Sequence, residues 1–382
     1  MKNLIVNKLP KKYRVIVFIV LFAVVGGVIA LIVTHASSPT ASIEAESGTV
    51  NGPAIKCSDA NASGSGSNCV QFKAASSGGG LADPLCTWDG VANQQYPCLT
   101  DTGIPVGTTL HTNGAAPNDC PTTINTAAVT AHGSSTWTGC HWTASVTVTA
   151  ANVTIQNSYF TGGGSGGGAS AAAVNSSASN VIIKYSLIDY GGYGVSDIAN
   201  RYATSGCSGG EATYLSNGTF DHSVVVGWSD GPRLGSNETY SNDYLSGCGL
   251  ESRGDHADIF QSYQGGCGNI IDHSTLEDGN SGYKMDSADV TFAADGGCGF
   301  TVNNTLVVIG SSVSNTHVGI DMRGDDMHGT VTITNNVFQM VAGKSAINCT
   351  AGDGTPGPLT YVVSGNKKTD GTAVNTSCTG HN

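Results

Sequence analysis

Charged side chains are scarce in this chain. Lys, Arg, Asp and Glu make up 12% of its 382 residues, against about a quarter in an average soluble domain. Coiled coils and helical bundles need Glu, Lys and Arg in bulk, so this scarcity argues against both. With only 11 prolines and 39% hydrophobic residues, the chain is neither collagen-like nor fully disordered.

Positive charge is the scarcest kind, and it is placed unevenly. Residues 1–36 hold five basic and no acidic side chains, so residues 37–382 carry 11 of the 16 basic side chains and all 28 acidic ones, a formal −17. Nucleic-acid binding requires clustered Lys and Arg, which excludes that class of function. The same charge opposes an acidic polysaccharide unless a cation or a local basic patch bridges the two.

Long apolar runs are absent except at residues 15–33, directly behind the basic stretch. About 20 apolar residues span a bilayer as a helix, and flanking Lys and Arg keep that end in the cytoplasm. We therefore predict that residues 1–36 form a cytoplasmic basic tail and a transmembrane signal anchor. The alternative is a secretory signal cleaved near Ala36. Both place the rest of the chain outside the cell, as a single-pass membrane protein or a secreted one.

All 12 cysteines follow the apolar run, and no CxxC pair occurs. An even number of cysteines in an exported chain indicates disulfides rather than a metal–thiolate site. Neighbouring cysteines suggest local pairs, which the sequence cannot prove: Cys57–Cys69, Cys86–Cys98, Cys120–Cys140, Cys207–Cys248, Cys267–Cys298 and Cys349–Cys378. Residues 37–85 are rich in Ser and Gly and are predicted to be a stalk with a small disulfide-closed hairpin.

The abundant residues are Gly, 53 in all, and the small polar residues between short apolar pieces. One phrase recurs at residues 152–160, 180–189, 217–227, 237–247, 269–279, 299–310 and 329–340. Each copy has alternating apolar residues, a polar step and a second apolar pair, which predicts a strand, a tight bend and another strand. Successive copies begin 20 to 37 residues apart. Such a period is typical of a solenoid.

The phrase is clearest at Val331-Thr332-Ile333-Thr334-Asn335-Asn336-Val337-Phe338, and on it the chain resembles the right-handed parallel β-helix proteins of the pectin-lyase-like superfamily. Asn suits such bends because it tolerates a left-handed backbone. The resemblance implies an all-β solenoid of about nine or ten coils over residues 86–382, after the transmembrane helix and the linker. We expect it to be monomeric.

Other strands of the predicted coils carry the charges. If Leu234, Met285, Ile320 and Met322 point inward, strand alternation turns a set of charged side chains outward onto one face. These are Arg233, Lys284, Asp286, Asp321 and Arg323. Nearby, His256-Ala257-Asp258-Ile259-Phe260-Gln261 resembles a signature of polysaccharide-degrading β-helix proteins. Its three polar side chains converge only if the strand bulges.

This face predicts chemistry on an extracellular polysaccharide. The leading hypothesis is a lyase that cleaves a uronate-containing glycan by β-elimination, with a base and a cation that neutralises the carboxylate. Its predicted catalytic residues are Lys284, Arg323, His256, Asp258 and Asp286. Its predicted substrate-binding residues are Arg233, Gln261, Tyr283 and Asp321. A calcium ion is predicted at Asp255, Asp258 and Asp286.

Two alternatives remain open from the sequence. A glycoside hydrolase would use paired carboxyl groups on the same face, such as Asp258 and Asp286. A non-enzymatic rod would present the face for adhesion or glycan binding. Sugar-stacking rings are expected from Tyr240, Tyr244, Tyr263 and Tyr283.

Overall fold

The computed structural model describes part of the chain. The described residues are 54–58, 68–72, 87–88, 91–92, 96–97, 102–105, 108–112, 120–163, 172–190, 208–247, 258–264, 266–277, 288–295, 298–309, 318–322, 328–340, 343–349, 359–374 and 378. The chain divides into two compact units, residues 1–73 and 74–382. No helix among the described residues is long and apolar enough to cross a membrane. The predicted transmembrane segment, residues 15–33, lies outside them.

The first unit contains an antiparallel hairpin within the predicted stalk. Strand β1 (Ala54–Ser58) pairs with β2 (Asn68–Phe72), and the register sets Cys57 directly opposite Cys69. This backbone arrangement agrees with the predicted hairpin, and its disulfide stays a prediction.

Within the described residues of the second unit there is one short helix, and all other regular elements are strands. In chain order they are β3 (Thr87–Trp88), β4 (Val91–Ala92), β5 (His111–Thr112), β6 (Thr123–Ile124), α1 (Thr126–His132), β7 (Thr136–Thr138), β8 (Cys140–Trp142), β9 (Val146–Val148), β10 (Thr154–Gln156), β11 (Tyr159–Phe160), β12 (Val174–Ser176), β13 (Val181–Lys184), β14 (Leu187–Asp189), β15 (Ser208–Tyr214), β16 (Gly218–Asp221), β17 (Val224–Arg233), β18 (Thr239–Ser241), β19 (Tyr244–Gly247), β20 (Asp258–Gln264), β21 (Ile270–Asp272), β22 (Thr275–Glu277), β23 (Ala288–Asp295), β24 (Thr301–Asn303), β25 (Leu306–Ile309), β26 (Val318–Met322), β27 (Gly329–Thr334), β28 (Val337–Met340), β29 (Ser345–Asn348), β30 (Leu359–Ser364) and β31 (Lys367–Lys368).

Almost all of these strands are parallel and belong to three stacks. The nine-stranded sheet runs β7, β10, β13, β16, β18, β21, β24, β27, β30. The first ladder runs β5, β8, β11, β14, β17, β19, β22, β25, β28, β31, and the second ladder runs β6, β9, β12, β15, β17, β20, β23, β26, β29. The ten-residue β17 belongs to both ladders. The chain visits the nine-stranded sheet, the first ladder and the second ladder in turn, which is consistent with a β-helix.

The three stacks enclose one hydrophobic core. Inward positions alternate with outward ones on the nine-stranded sheet, where Val181 and Ile183 of β13 are buried and their neighbours are partly exposed. Trp142 stacks on Phe160 one strand further along the first ladder. Of the residues predicted to point inward, Leu234, Ile320 and Met322 are part of this core, and Met285 lies outside the described residues. Burial of these apolar columns supplies the main stabilisation of the stack.

The bends between the nine-stranded sheet and the first ladder use a left-handed backbone, as predicted. Positive φ angles of 44° to 58° occur at Asn157, Tyr185, His222, Asn242, His273, Asn304 and Asn335. Asn is favoured there because its short polar side chain offsets the steric cost of this conformation. Tyr and His occupy three of the bends, so the left-handed backbone is kept even where the residue is not Asn.

A buried polar column runs beside these bends and ties each strand layer to the next. Its members are Ser158, Ser186, Ser223, Asp243, Ser274, Thr305, Asn336 and Asn366. Each side-chain oxygen accepts the backbone N–H of the preceding layer, as between Ser186 Oγ and Ser158 N at 3.2 Å and between Asn366 Oδ1 and Asn336 N at 3.0 Å. These contacts satisfy buried donors at every bend. We call this set the interior ladder.

Three of the six predicted disulfides are present in the described residues. Cys120–Cys140, Cys267–Cys298 and Cys349–Cys378 are each bonded. Cys267 and Cys298 face each other across adjacent layers as a parallel bridge. The cross-links therefore confirm the local pairing that the spacing suggested for these six cysteines. Each of the other three predicted pairs involves side chains outside the described part of the chain.

Candidate functional site

The second ladder carries a group of four charged side chains and one amide that do not belong to the hydrophobic core. We call it the acidic cluster, and its members are Glu211, Asp230, Arg233, Asp258 and Gln261. The register of the ladder aligns Glu211 of β15 with Asp230 of β17, and Asp230 with Asp258 of β20. Arg233 is aligned with Gln261 in the same way. Three carboxyl groups therefore lie on three consecutive strands.

A chain of side-chain contacts links four members of the acidic cluster. Arg233 Nη1 lies 2.7 Å from Glu211 Oε1 as an ion pair. Arg233 Nη2 donates to Gln261 Oε1, and Gln261 Nε2 donates to Asp258 Oδ2 at 3.0 Å. The guanidinium thus connects the two outer strands through its fixed fork geometry.

Asp258 and Gln261 meet although they are three residues apart in one strand. Strict alternation would send them to opposite faces. The two residues between them, Ile259 and Phe260, both belong to the hydrophobic core. This consecutive inward pair interrupts the alternation, so the residues before and after it are free to converge. The convergence predicted to require a bulge therefore exists for Asp258 and Gln261.

The acidic cluster is partly covered. Glu211 and Asp258 are each 1% exposed and Gln261 is 7% exposed, whereas Asp230 and Arg233 are partly exposed. Charged residues are almost never this deeply buried unless they are paired. A ligand approaching the cluster would meet Asp230 and Arg233 first.

Polar side chains continue along the second ladder beyond the acidic cluster. Asp321 of β26 is buried, and its Oδ1 accepts a hydrogen bond of 2.8 Å from Asn348 Nδ2 on β29. Thr291 of β23 separates Asp321 from Gln261 in the register. Arg233 and Asp321, predicted on one outward face, do share a column.

The strand that aligns with β20 and β26 is β23, which starts at Ala288, and Thr291 occupies the register position between Gln261 and Asp321. Periodicity alone could not indicate this register, because this strand and the segment around Lys284 both alternate apolar and polar residues. Lys284 and Asp286, predicted in the same column, lie outside the described residues, so their positions stay predictions.

Several other predicted site residues also fall outside the described part of the chain. They are Asp255, His256, Tyr283 and Arg323. Of the three predicted calcium ligands only Asp258 is described, and its carboxylate accepts from Gln261. Within the described residues, no group of three or more His, Cys, Asp or Glu side chains has the arrangement of a metal site.

Two of the expected sugar-stacking rings are in fact buried. Tyr240 is fully buried in the core, where it packs on Phe220 and Phe260. Tyr244 is 1% exposed and donates to Glu277. Those two predictions are wrong, because each hydroxyl has a buried partner and each ring fills a packed layer. Tyr263 and Tyr283 lie outside the described side chains.

Sequence reasoning missed Glu211 and Asp230. On the second ladder they precede the predicted signature by two strands and by one strand, and they lie in the segments Ser-Gly-Gly-Glu-Ala-Thr-Tyr and Trp-Ser-Asp-Gly-Pro-Arg. The repeated phrase covers the nine-stranded sheet and the first ladder, so it carries no information on the second. Asp230 precedes Arg233 by three residues, as Asp258 precedes Gln261, so a search for that spacing would have found Asp230.

The outer side of the first ladder has the opposite character. Tyr159, Leu187, Val224, Val226 and Tyr244 form an apolar cluster there. Residues 96–97, 102–105 and 108–112, which we call the strap, cover this face, with Ile104 and Leu110 packed on it.

Backbone hydrogen bonds fasten the strap along the ladder. Gly103 N donates to His222 O at 2.8 Å, Thr275 Oγ1 donates to Pro97 O at 2.6 Å, and His111 pairs with Cys140. At the other end, Tyr96 packs with Leu306, Val308 and Val337. The strap therefore removes the first ladder's outer face from solvent.

Comparison with known proteins gives no family for this chain. No protein-family model, no curated protein and no solved structure matches it. Its function is therefore argued from the acidic cluster alone.

Proposed function

We propose that this protein cleaves the glycosidic bonds of an extracellular polysaccharide at the acidic cluster, with carboxyl groups as acid and base. The single observation that carries the proposal is the alignment of Glu211, Asp230 and Asp258 on three consecutive parallel strands beside Arg233. Glycoside hydrolysis needs two carboxyl groups that flank the bond. One protonates the leaving oxygen, and the other either activates a water molecule or itself attacks the anomeric carbon.

The spacing of the strands fits this requirement. Neighbouring strands lie about 4.8 Å apart, so Asp230 and Asp258 are on adjacent backbones and Glu211 and Asp258 are two steps apart. Carboxyl groups about 5–5.5 Å apart give retention, and about 6.5–9.5 Å gives inversion. The pair Asp230–Asp258 suits a retaining mechanism, and the pair Glu211–Asp258 suits an inverting one. The anomeric configuration of the sugar product as it is first released therefore identifies the pair that reacts.

Arg233 and Gln261 are proposed to hold the acids rather than to react. The ion pair with Arg233 fixes the position of the Glu211 carboxylate, and the amide of Gln261 fixes the orientation of Asp258. As the partly exposed cation of the cluster, Arg233 also offers a hydrogen-bond donor to sugar hydroxyl or carboxylate oxygens.

β-Elimination is a second candidate, and Arg233 is the observation that favours it. A guanidinium beside the site can neutralise the carboxylate of a uronate, the first requirement of a lyase. The base would come from Lys284 or Arg323, and calcium would bind at Asp255, Asp258 and Asp286. These roles remain proposals, as does the non-enzymatic rod.

We propose an exported location for the folded domain, at the cell surface behind the transmembrane segment or in secreted form. The three disulfides support an oxidising compartment, because cytosolic thiols are kept reduced. The finer fold, a right-handed β-helix of the pectin-lyase-like kind, is proposed on the near-universal right-handedness of parallel crossovers.

A polysaccharide panel tests the proposal. The full chain is incubated with neutral and uronate polysaccharides, with and without chelator, while new reducing ends and unsaturated products are followed. Hydrolysis predicts new reducing ends without unsaturated products, and a lyase predicts both. Loss of cleavage only when the chelator is present supports the calcium site. Asp258→Asn is expected to lower the rate by about 10²–10⁴-fold. Absence of any product across the panel would leave the rod as the better account.

A further inference from the structure

The strongest unexplained feature near the acidic cluster is a buried acid behind it. Glu238 is fully buried, in the turn between β17 and β18, five residues after Arg233. It belongs neither to the acidic cluster nor to the interior ladder. An acid at this depth requires hydrogen-bond partners.

Those partners form a closed cycle with Gly235 and Asn269. Gly235 N donates to Glu238 Oε1 at 2.6 Å, and Glu238 N donates to Asn269 Oδ1 at 3.0 Å. Asn269 Nδ2 then donates to Gly235 O at 2.8 Å, which closes the ring of three residues. The hydroxyl oxygen of Tyr240 lies 2.8 Å from the second oxygen, Oε2, so a neutral Glu238 can donate its proton to Tyr240 Oη.

The cycle lies at the end of β17, where Arg233 emerges. Gly235 is two residues beyond Arg233, and the intervening Leu234 donates its backbone N–H to Gln261 O at 2.8 Å. Space at the turn is closed, because a Cβ on Gly235 would come within 2.5 Å of Leu215 O. Holding Gly235 therefore holds the backbone from which the guanidinium reaches Glu211 and Gln261.

We propose that Glu238 is a positioning residue for the acidic cluster: its neutral carboxyl holds the end of β17 and with it Arg233, and its ionisation releases them. The inference rests on the proposed function for its catalytic consequence. Its structural part, the hold on β17, stands independently.

The surroundings of Glu238 favour the neutral form. Burial raises the pKa of Glu238 to about 8, although the hydrogen bonds from Tyr240 and Gly235 pull in the other direction. The titratable neighbours are Tyr240, on the strand β18 that follows the turn, and Asp243, whose charge raises the pKa of Tyr240. The groups contacted from the preceding turn and the next layer, Gly235 and Asn269, are neutral. Removing the proton would therefore place a charge in a dry site with no described cation against it.

Two measurements on the full chain test this inference. In the wild type, the rate of glycan cleavage is expected to fall about tenfold between pH 7 and pH 9, as a group titrating near pH 8 loses its proton. Over the same range, the hydrogen-exchange protection of the Leu234 and Gly235 amides, corrected for intrinsic exchange, is expected to fall by a similar factor.

Glu238→Gln is the decisive variant, because an amide retains an acceptor for Gly235 and cannot ionise. It is expected to keep both the rate and the protection at pH 9. Glu277→Gln is the matched control, a buried acid bonded to Tyr244 on the strap-covered face, and should behave like the wild type.

The outcomes separate the two proposals. If protection falls in the wild type and not in Glu238→Gln, but no glycan is cleaved, the positioning role holds and the proposed function fails. If Glu238→Gln loses protection and activity with the same pH dependence as the wild type, the inference is overturned.

Discussion

The two ladders that share β17 have outer faces of opposite chemistry. On the first ladder, Leu187, Val224 and Val226 form an apolar face, and the strap covers it. On the second ladder, Asp230 and Arg233 of the same strand β17 belong to a charged cluster. One continuous strand therefore contributes to a structural face with its first half and to a candidate functional face with its second.

The contrast between the two outer faces indicates which residues of a repetitive fold are candidates for function. Stacking of like residues satisfies the repeat on the nine-stranded sheet and in the interior ladder, so those positions are accounted for by stability. The acidic cluster breaks the pattern, since charged groups gain nothing from the repeat and cost free energy when covered. Function in this architecture belongs to the site and not to the fold.

The largest expected effect on stability comes from the strap-covered face. Leu187→Ala removes a buried side chain from it and is expected to lower the free energy of unfolding by about 3–4 kcal/mol. Glycan cleavage by the folded protein should not change. Val362→Ala, at an exposed position of the nine-stranded sheet, is the control and should cost little. Denaturant unfolding measures both free energies of unfolding. A loss of cleavage by folded Leu187→Ala would contradict the purely structural role of the strap-covered face.

The next effect comes from the acidic cluster. Arg233→Met leaves the buried Glu211 without the guanidinium at its Oε1, and the expected loss of stability is about 3 kcal/mol. Glycan cleavage should fall with it. Adding Glu211→Gln should recover part of the stability, because the charge left behind is removed. No recovery in the double variant would mean that the ion pair is not what holds the cluster.

A smaller effect comes from Asp243, the one acid in the interior ladder. Burial raises the pKa of Asp243 well above its usual value, despite the hydrogen bond from Ser223 N to its Oδ1. The folded state therefore keeps a proton that the unfolded chain has lost, and the free energy of unfolding falls as pH rises above about 4, until Asp243 itself ionises.

Asp243→Asn tests this directly, because Asn already serves the same ladder at Asn336 and Asn366. The variant should be more stable than the wild type at pH 8, by on the order of a few kcal/mol, because it avoids the proton-linked loss. It should also show a shallower decline of the unfolding midpoint between pH 5 and pH 8. Some decline remains, since Glu238 behaves similarly. Identical pH profiles for both proteins would contradict the assignment.

The smallest expected effect concerns a bend. Asn335 has a φ of 57°, and Asn335→Ala should lose about 1 kcal/mol because Ala tolerates this conformation poorly. Asn335→Gly should be close to neutral. Thermal unfolding of the pair distinguishes backbone strain from loss of the side chain, and equal losses would show that the side chain matters more.

The sequence predicted the parallel stacks, the left-handed bends and three disulfides because each depends on local spacing. The repeated phrase places Asn157, Asn304 and Asn335 at bends without reference to the rest of the chain. The acidic cluster was only half predictable, since Arg233, Asp258 and Gln261 were found and Glu211 and Asp230 were not. Their meeting depends on register between strands 19 and 28 residues apart, which no local pattern fixes.

The central claim is that the acidic cluster, and not the strap-covered face, is where the protein works. Asp258 and Asp189 provide a matched pair: both are buried aspartates at ladder positions, and Asp189 accepts from Tyr159 on the first ladder. The decisive measurement is the release of reducing ends from the glycan panel by Asp258→Asn and Asp189→Asn, with each rate normalised to folded protein. We predict a loss of at least about 100-fold for Asp258→Asn and an unchanged rate for Asp189→Asn. Equal rates in the two variants would contradict the account.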